Sequence, residues 1–81
     1  MNQQSIIRDI EKGAQARRIS ISALCRRAGI HPDTFRNWRK TPQNPQPVGA
    51  NLHLIERLYA ELRKIDAEDA ERVAKNGGVA A

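Results

Sequence analysis

The chain has 81 residues, enough for one domain with a modest core and too few for a two-domain enzyme with an interdomain cleft. Its 14 Lys and Arg outweigh 9 Asp and Glu for a net charge of +5, and the excess is uneven: residues 1–50 carry nine basic and three acidic side chains, residues 51–81 five and six. That asymmetry suits a polyanionic partner, while a lone Cys25 and two separated histidines exclude an intrachain disulfide and a zinc cluster and make the cytoplasm the expected compartment.

Residues 3–18 read as a first helix, with Ile6, Ile7, Ile10 and Ala14 on one stripe and Gly13 and Arg17 at its edge. Gly13 either weakens this helix or admits the close approach of another. Ser20 is a good N-cap for a second helix over 21–28, with Ile21, Leu24, Cys25 and Ala28 on its inner side. Gly29 ends it in a position suited to a left-handed backbone. Pro32 then opens a third helix, 32–40, at the first helical position, where its missing N–H is harmless. His31 is left as its N-cap, a poor choice by propensity. Phe35 and Trp38 face inward, and Asp33, Arg36, Asn37 and Lys40 face outward.

Residues 41–50 hold three prolines, one glycine and no charge, which makes a loop and argues against a hairpin wing. In the fourth helix, 51–65, the residues Leu52, Leu54, Ile55, Leu58, Tyr59, Leu62 and Ile65 spread over roughly 160° of the helical wheel, wider than the ~100° one bundle face needs. The stripe either packs only as core on the first three helices or, as the excess favours, also includes a shared dimer interface built on Leu54, Leu58, Tyr59, Leu62 and Ile65, extended by Val73 and the Ala67/Ala70/Ala74 set. Beyond it, either a short fifth helix spans 67–75 or the fourth continues. Asn76-Gly77-Gly78 is the expected stop, with a disordered tail over 76–81.

Two short helices joined through Ala28-Gly29-Ile30-His31 carry the functional reading. A steep crossing needs a small residue, supplied by Cys25; a tight turn needs a glycine, supplied by Gly29; apolar inner faces fix the second helix and free its outer face. Residues 19–38, Ile-Ser-Ile-Ser-Ala-Leu-Cys-Arg-Arg-Ala-Gly-Ile-His-Pro-Asp-Thr-Phe-Arg-Asn-Trp, resemble the helix-turn-helix of the lambda-repressor-like (Cro and Xre) DNA-binding proteins, and the closest kin look like small regulators of phages and mobile elements. The likeness is strong over 19–40, extends to 3–65 in helix order, and does not cover 66–81. It implies an all-α bundle of four to five helices with a central helix-turn-helix over 1–75, and a homodimer on an inverted-repeat operator, most often a repressor.

By that resemblance the base-reading positions are Asp33, Arg36, Asn37 and Lys40. Arg36 suits guanine and Asn37 suits adenine; Asp33 either accepts from cytosine or orients Arg36 or Asn37; Lys40 meets a base edge or a phosphate. Candidate contacts to the DNA backbone are Arg17, Arg18, Ser20, Ser22, Arg26, Arg27, His31 and Thr34. His31 stands where the family usually has Ser or Thr, and Ile21 where it often has Gln, so Ser20 and Ser22 are substitutes there. A family function carried by double-stranded DNA needs no cofactor, metal or small-molecule ligand, and no catalytic constellation is present among the residues.

Met-Asn-Gln-Gln-Ser at the start shows no basic region followed by an apolar one, so no signal peptide is expected, and no apolar run approaches the ~20 residues of a membrane span. The competing readings are a protein-binding module, such as an antitoxin or phage adaptor working through 51–75, and an architectural or recombination factor that bends DNA.

Overall fold

Asn2 opens the first helix: its side-chain oxygen accepts from the Ser5 N–H at 2.8 Å and satisfies a donor that has no partner within the helix. In the computed structural model, which describes the backbone of residues 2–80 and the side chains of residues 2–73, the chain forms α1 (Gln3–Ala16), α2 (Ile21–Arg27), α3 (Pro32–Trp38) and α4 (Leu52–Ala80). The fold is all-α, with no strand among the described residues.

The first two helices end in the same way. After α1, the Arg18 N–H donates to the Gln15 carbonyl and the Ile19 N–H to the Ala14 carbonyl; after α2, Gly29 donates to Arg26 and Ile30 to Cys25. Each is a Schellman closure, which requires a left-handed residue at its second position. Gly29 provides it at φ 75°, and Arg18 provides it at φ 57°. α1 is therefore two residues shorter than its periodicity predicts. Ser20 caps α2 by accepting from the Ala23 N–H at 3.1 Å, and His31 caps α3 by accepting from the Asp33 N–H through Nδ1 at 3.1 Å.

One core holds the four helices together. It contains Ile7, Ile10 and Ala14 from α1, Leu24 and Cys25 from α2 with Ala28 and Ile30 after it, Phe35 and Trp38 from α3, and Ile55, Leu58, Leu62 and Ile65 from α4. Full burial of a side chain such as Ile10 or Leu24 contributes about 1.5–3 kcal/mol. α1 and α2 each pack on both other helices, whereas α3 and α4 do not pair with each other among the described residues. The expected close approach at Gly13 is present: a Cβ there would lie 3.1 Å from the Leu62 Cδ1 and 3.2 Å from the Arg17 Nη1.

α4 departs from expectation twice. From Leu54 to Ile65 its wide apolar stripe is spent within one chain, and only Leu52 at its start is exposed. Leu58, Leu62 and Ile65 are buried, and Leu54 and Tyr59 pack partly buried against the core, so the dimer seam expected on these five residues is not an open surface. The physical reason is the number of neighbours. A helix seated against both α1 and α2 buries a broader arc than one facing a single partner. α4 is also one helix through Ala80, with no separate fifth helix, and it runs through Asn76-Gly77-Gly78 where the sequence predicts a stop. Glycine lowers helix preference but keeps its N–H, so it does not break the hydrogen-bond ladder as proline does. Asp66 to Val73, including Ala67 and Ala70, are all exposed, so α4 extends past the core along the 52 Å long axis of a molecule about 20 Å across. Ala74 lies outside the described side chains.

The loop contains one tight reversal. Thr41 and Asn44 exchange both backbone hydrogen bonds, at 3.1 and 2.9 Å, with Pro42 and Gln43 at the tip, yet no hairpin follows. No helix of the described residues is long and apolar enough to cross a membrane.

Candidate nucleic-acid interface

α3 presents two faces of opposite character. Phe35 and Trp38 are buried with ring centroids 5.7 Å apart, and they fix how the helix lies on α1 and α2. Asp33, Arg36 and Asn37 are exposed on the opposite side, and Lys40 follows two residues after the helix, also exposed. The Arg36 Nη1 donates to the Asp33 carboxylate at 2.9 Å. Asp33 therefore orients Arg36, one of the two roles open to it from the sequence. The exposed pair lies one turn apart, where such contacts contribute only a few tenths of a kcal/mol, so a stronger acceptor can displace it.

Side chains from the far end of the chain hold this helix in place. Gln4 donates to the Trp38 carbonyl at 2.9 Å and accepts from the Lys40 N–H at 3.0 Å. Gln3 donates to the Trp38 and Val48 carbonyls and accepts from the Ala50 N–H at 2.8 Å. Asn44 donates to the carbonyls of Asn37 and Arg39 at 3.1 and 3.2 Å. These amides satisfy carbonyls that the end of a short helix leaves without intrahelical partners. The sequence reading missed all three. Polar residues at a chain start and in a loop carry no periodicity that would reveal such partners.

Two surface clefts flank α3. One lies between the starts of α2 and α3 and is lined by Glu11, Ile21, Ser22, Phe35, Arg36 and Arg39. It brings two expected contact residues together, Ser22 and Arg36. The other lies between α3 and the Thr41–Asn44 reversal, lined by Arg36, Asn37, Arg39, Gln43 and Asn44. Arg39 lines both and pairs with Glu11 at 3.1 Å. It is an unforeseen member of this surface, although its spacing of three from Arg36 places both on one side of a helical turn.

The remaining candidates divide by their partners. Arg18 and Arg26 are exposed and lie outside every ion pair among the described residues. Ser20 and His31 are occupied as caps, and Thr34 is half-buried in the first turn of α3. Arg17 and Arg27 are committed within the chain. Arg17 makes a two-point contact with Asp66 at 2.9 and 2.8 Å, which raises its own pKa and lowers that of the Asp66 carboxyl. Arg27 bridges the buried Glu61 at 3.3 Å and Glu68 at 2.9 Å, and the hydrogen bonds to Glu68 and then Glu61 raise its pKa. These two arginines tie the C-terminal ends of α1 and α2 to α4.

Burial raises the pKa of the Cys25 thiol, which keeps it protonated and inert. No group of three or more His, Cys, Asp or Glu among the described residues is arranged to hold a metal ion. Compared with protein-family models, with curated proteins and with solved structures, the chain finds no match.

Proposed function

We propose that this chain binds double-stranded DNA in a sequence-specific manner as a homodimer and regulates transcription, most simply by occupying a promoter as a repressor. In this reading α2, the Ala28–His31 turn and α3 form a helix-turn-helix, and α3 enters the major groove, whose width admits one helix. The observation that carries the reading is the division of α3: an inner face clamped by Phe35 and Trp38, and an outer face of exposed Asp33, Arg36 and Asn37 that no other element covers. Gly29 at φ 75° in the turn and Cys25, fully buried where the two helices meet, meet the steric needs of the motif.

Arg36 then contacts guanine and Asn37 adenine, with Asp33 holding Arg36 in position until a base edge takes its place. Arg18, Arg26, Arg39 and Lys40 supply phosphate contacts, affinity and salt dependence. Two-fold symmetry sets the half-sites about 34 Å apart. Because Leu58, Leu62 and Ile65 are occupied by the core, a second copy has to meet other surface, and the exposed stretch of α4 around Val73 is available for it.

The test is a footprint combined with affinity measurements. Arg36→Ala and Asn37→Ala each weaken binding by about 1–3 kcal/mol and relax preference at particular base pairs. If both variants bind the same site as tightly and as selectively as the parent, the assignment of α3 is overturned. The exposed Asp66–Val73 segment also favours a second reading, a module that binds another protein. Co-purification of a second polypeptide, together with no DNA affinity at low salt, would support that reading instead.

A further inference from the structure

Arg57 lies in the first half of α4, outside residues 1–50 that carry the basic excess, and α4 does not pair with α3 among the described residues. Its guanidinium nevertheless reaches the turn that leads into α3. A Cβ built on Gly29 would lie 4.0 Å from the Arg57 Nη1, and no other heavy atom outside the turn comes as close. Arg57 is exposed and takes part in no ion pair among the described residues.

Its isolation has a structural cause. Glu61, four residues on, is the carboxylate an arginine at this position would ordinarily meet on a helix surface. Glu61 is instead buried and engaged twice, by Arg27 at 3.3 Å and by Lys64 at 3.2 Å. Arg27 also donates through its Nη2 to both carboxylate oxygens of Glu68. The exchange moves the available positive charge: Arg27, on α2, is neutralised by α4, and Arg57, on α4, is left uncompensated beside the turn.

We infer that Arg57 is a phosphate-contacting residue of the DNA interface and takes the place beside the turn that Arg27 would occupy by sequence alone. The inference rests on the proposal that α3 enters a major groove. The turn at the entrance of such a helix lies at the groove edge, where the phosphate backbone runs. A guanidinium is suited to it because its planar set of donors matches two phosphate oxygens. A contact of this kind adds affinity without sequence preference.

Arg57→Gln, Arg27→Gln and the parent chain are compared for binding to one selected duplex and to random-sequence duplex between 50 and 200 mM salt. Each phosphate contact contributes about 0.9 to the slope of log K against log salt. Arg57→Gln therefore lowers the slope by about 0.9 and weakens both duplexes by the same factor, Arg57→Lys retains most of the slope, and Arg27→Gln leaves it unchanged. A thermal melt confirms folding, which an exposed side chain without partners leaves intact. An unchanged slope for Arg57→Gln, with the parent binding normally, overturns this inference alone. Absence of duplex binding by the parent at low salt overturns it together with the reading of α3.

Discussion

Two residues hold the same left-handed position for different reasons. Gly29 ends α2 at φ 75°, where glycine pays no steric penalty, and Arg18 ends α1 at φ 57°, where an L side chain crowds its own backbone. Gly29→Ala therefore lowers stability by about 1 kcal/mol, a backbone effect, since the nearest outside atom leaves room for a methyl group. Arg18→Gly has the opposite sign and raises stability by up to about 1 kcal/mol, offset by the greater freedom glycine gives the unfolded chain. Urea denaturation of the two variants reads both; a loss of stability in Arg18→Gly would show that the arginine makes a contact worth more than its strain. Gly29 was legible in the sequence because glycine after an apolar run marks a helix end. Arg18 was not, since nothing about an arginine announces a left-handed backbone. Asn2 as a cap was equally invisible, one polar residue among several at the start of the chain.

At the level of elements, the positions of the helices were legible and their partners were not. The stripe Ile7, Ile10 and Ala14, the Pro32 start and the Gly29 stop each rest on local chemistry, and α2 and α3 begin where those rules put them. The breadth of the α4 stripe was legible, but whether it exceeds what the core takes up depends on how many helices surround it, which no single-helix pattern states. Long-range ion pairs are similarly hidden: Arg17 meets Asp66 across 49 residues, and Arg27 meets Glu61 across 34. The first of these has a pH signature. Its hydrogen bonds to Arg17 hold the Asp66 carboxyl below the ordinary carboxylate range. The contribution of the pair is present at neutral pH, above the unfolded value, and is lost as pH falls through the lower folded value. Asp66→Asn removes that component, so its acid-unfolding curve is less steep than the parent's below pH 4. An identical pH dependence would show that Asp66 is not engaged by Arg17 in solution. Tyr59 acts at the other end of the scale. Partial burial, and then its hydrogen bond to Asp9, push the phenol up to about 12, so ionisation works against folding as pH rises from 10 towards 12.

Over the whole molecule, the charge asymmetry of the sequence takes a different form in three dimensions. Arg17 and Arg27 are cancelled by carboxylates of α4, while Arg18, Arg26 and Lys40 remain uncompensated and Arg36 and Arg39 keep only exposed or half-exposed partners. Uncompensated positive charge thus remains on and beside α3, as it does at Arg8, Lys12 and Arg63, while Glu61, Asp66 and Glu68 of α4 brace the ends of α1 and α2 as α4 leaves the core. The outer face of α3 is the proposed reader of duplex DNA. Selection of bound duplexes from a random library, run in parallel with the parent chain and with Asn37→Ala, tests it most directly. The parent is expected to enrich an inverted repeat with half-sites about one helical turn apart, and the variant to lose preference at an adenine position. No enrichment by the parent at low salt, or the same consensus from both proteins, would contradict it.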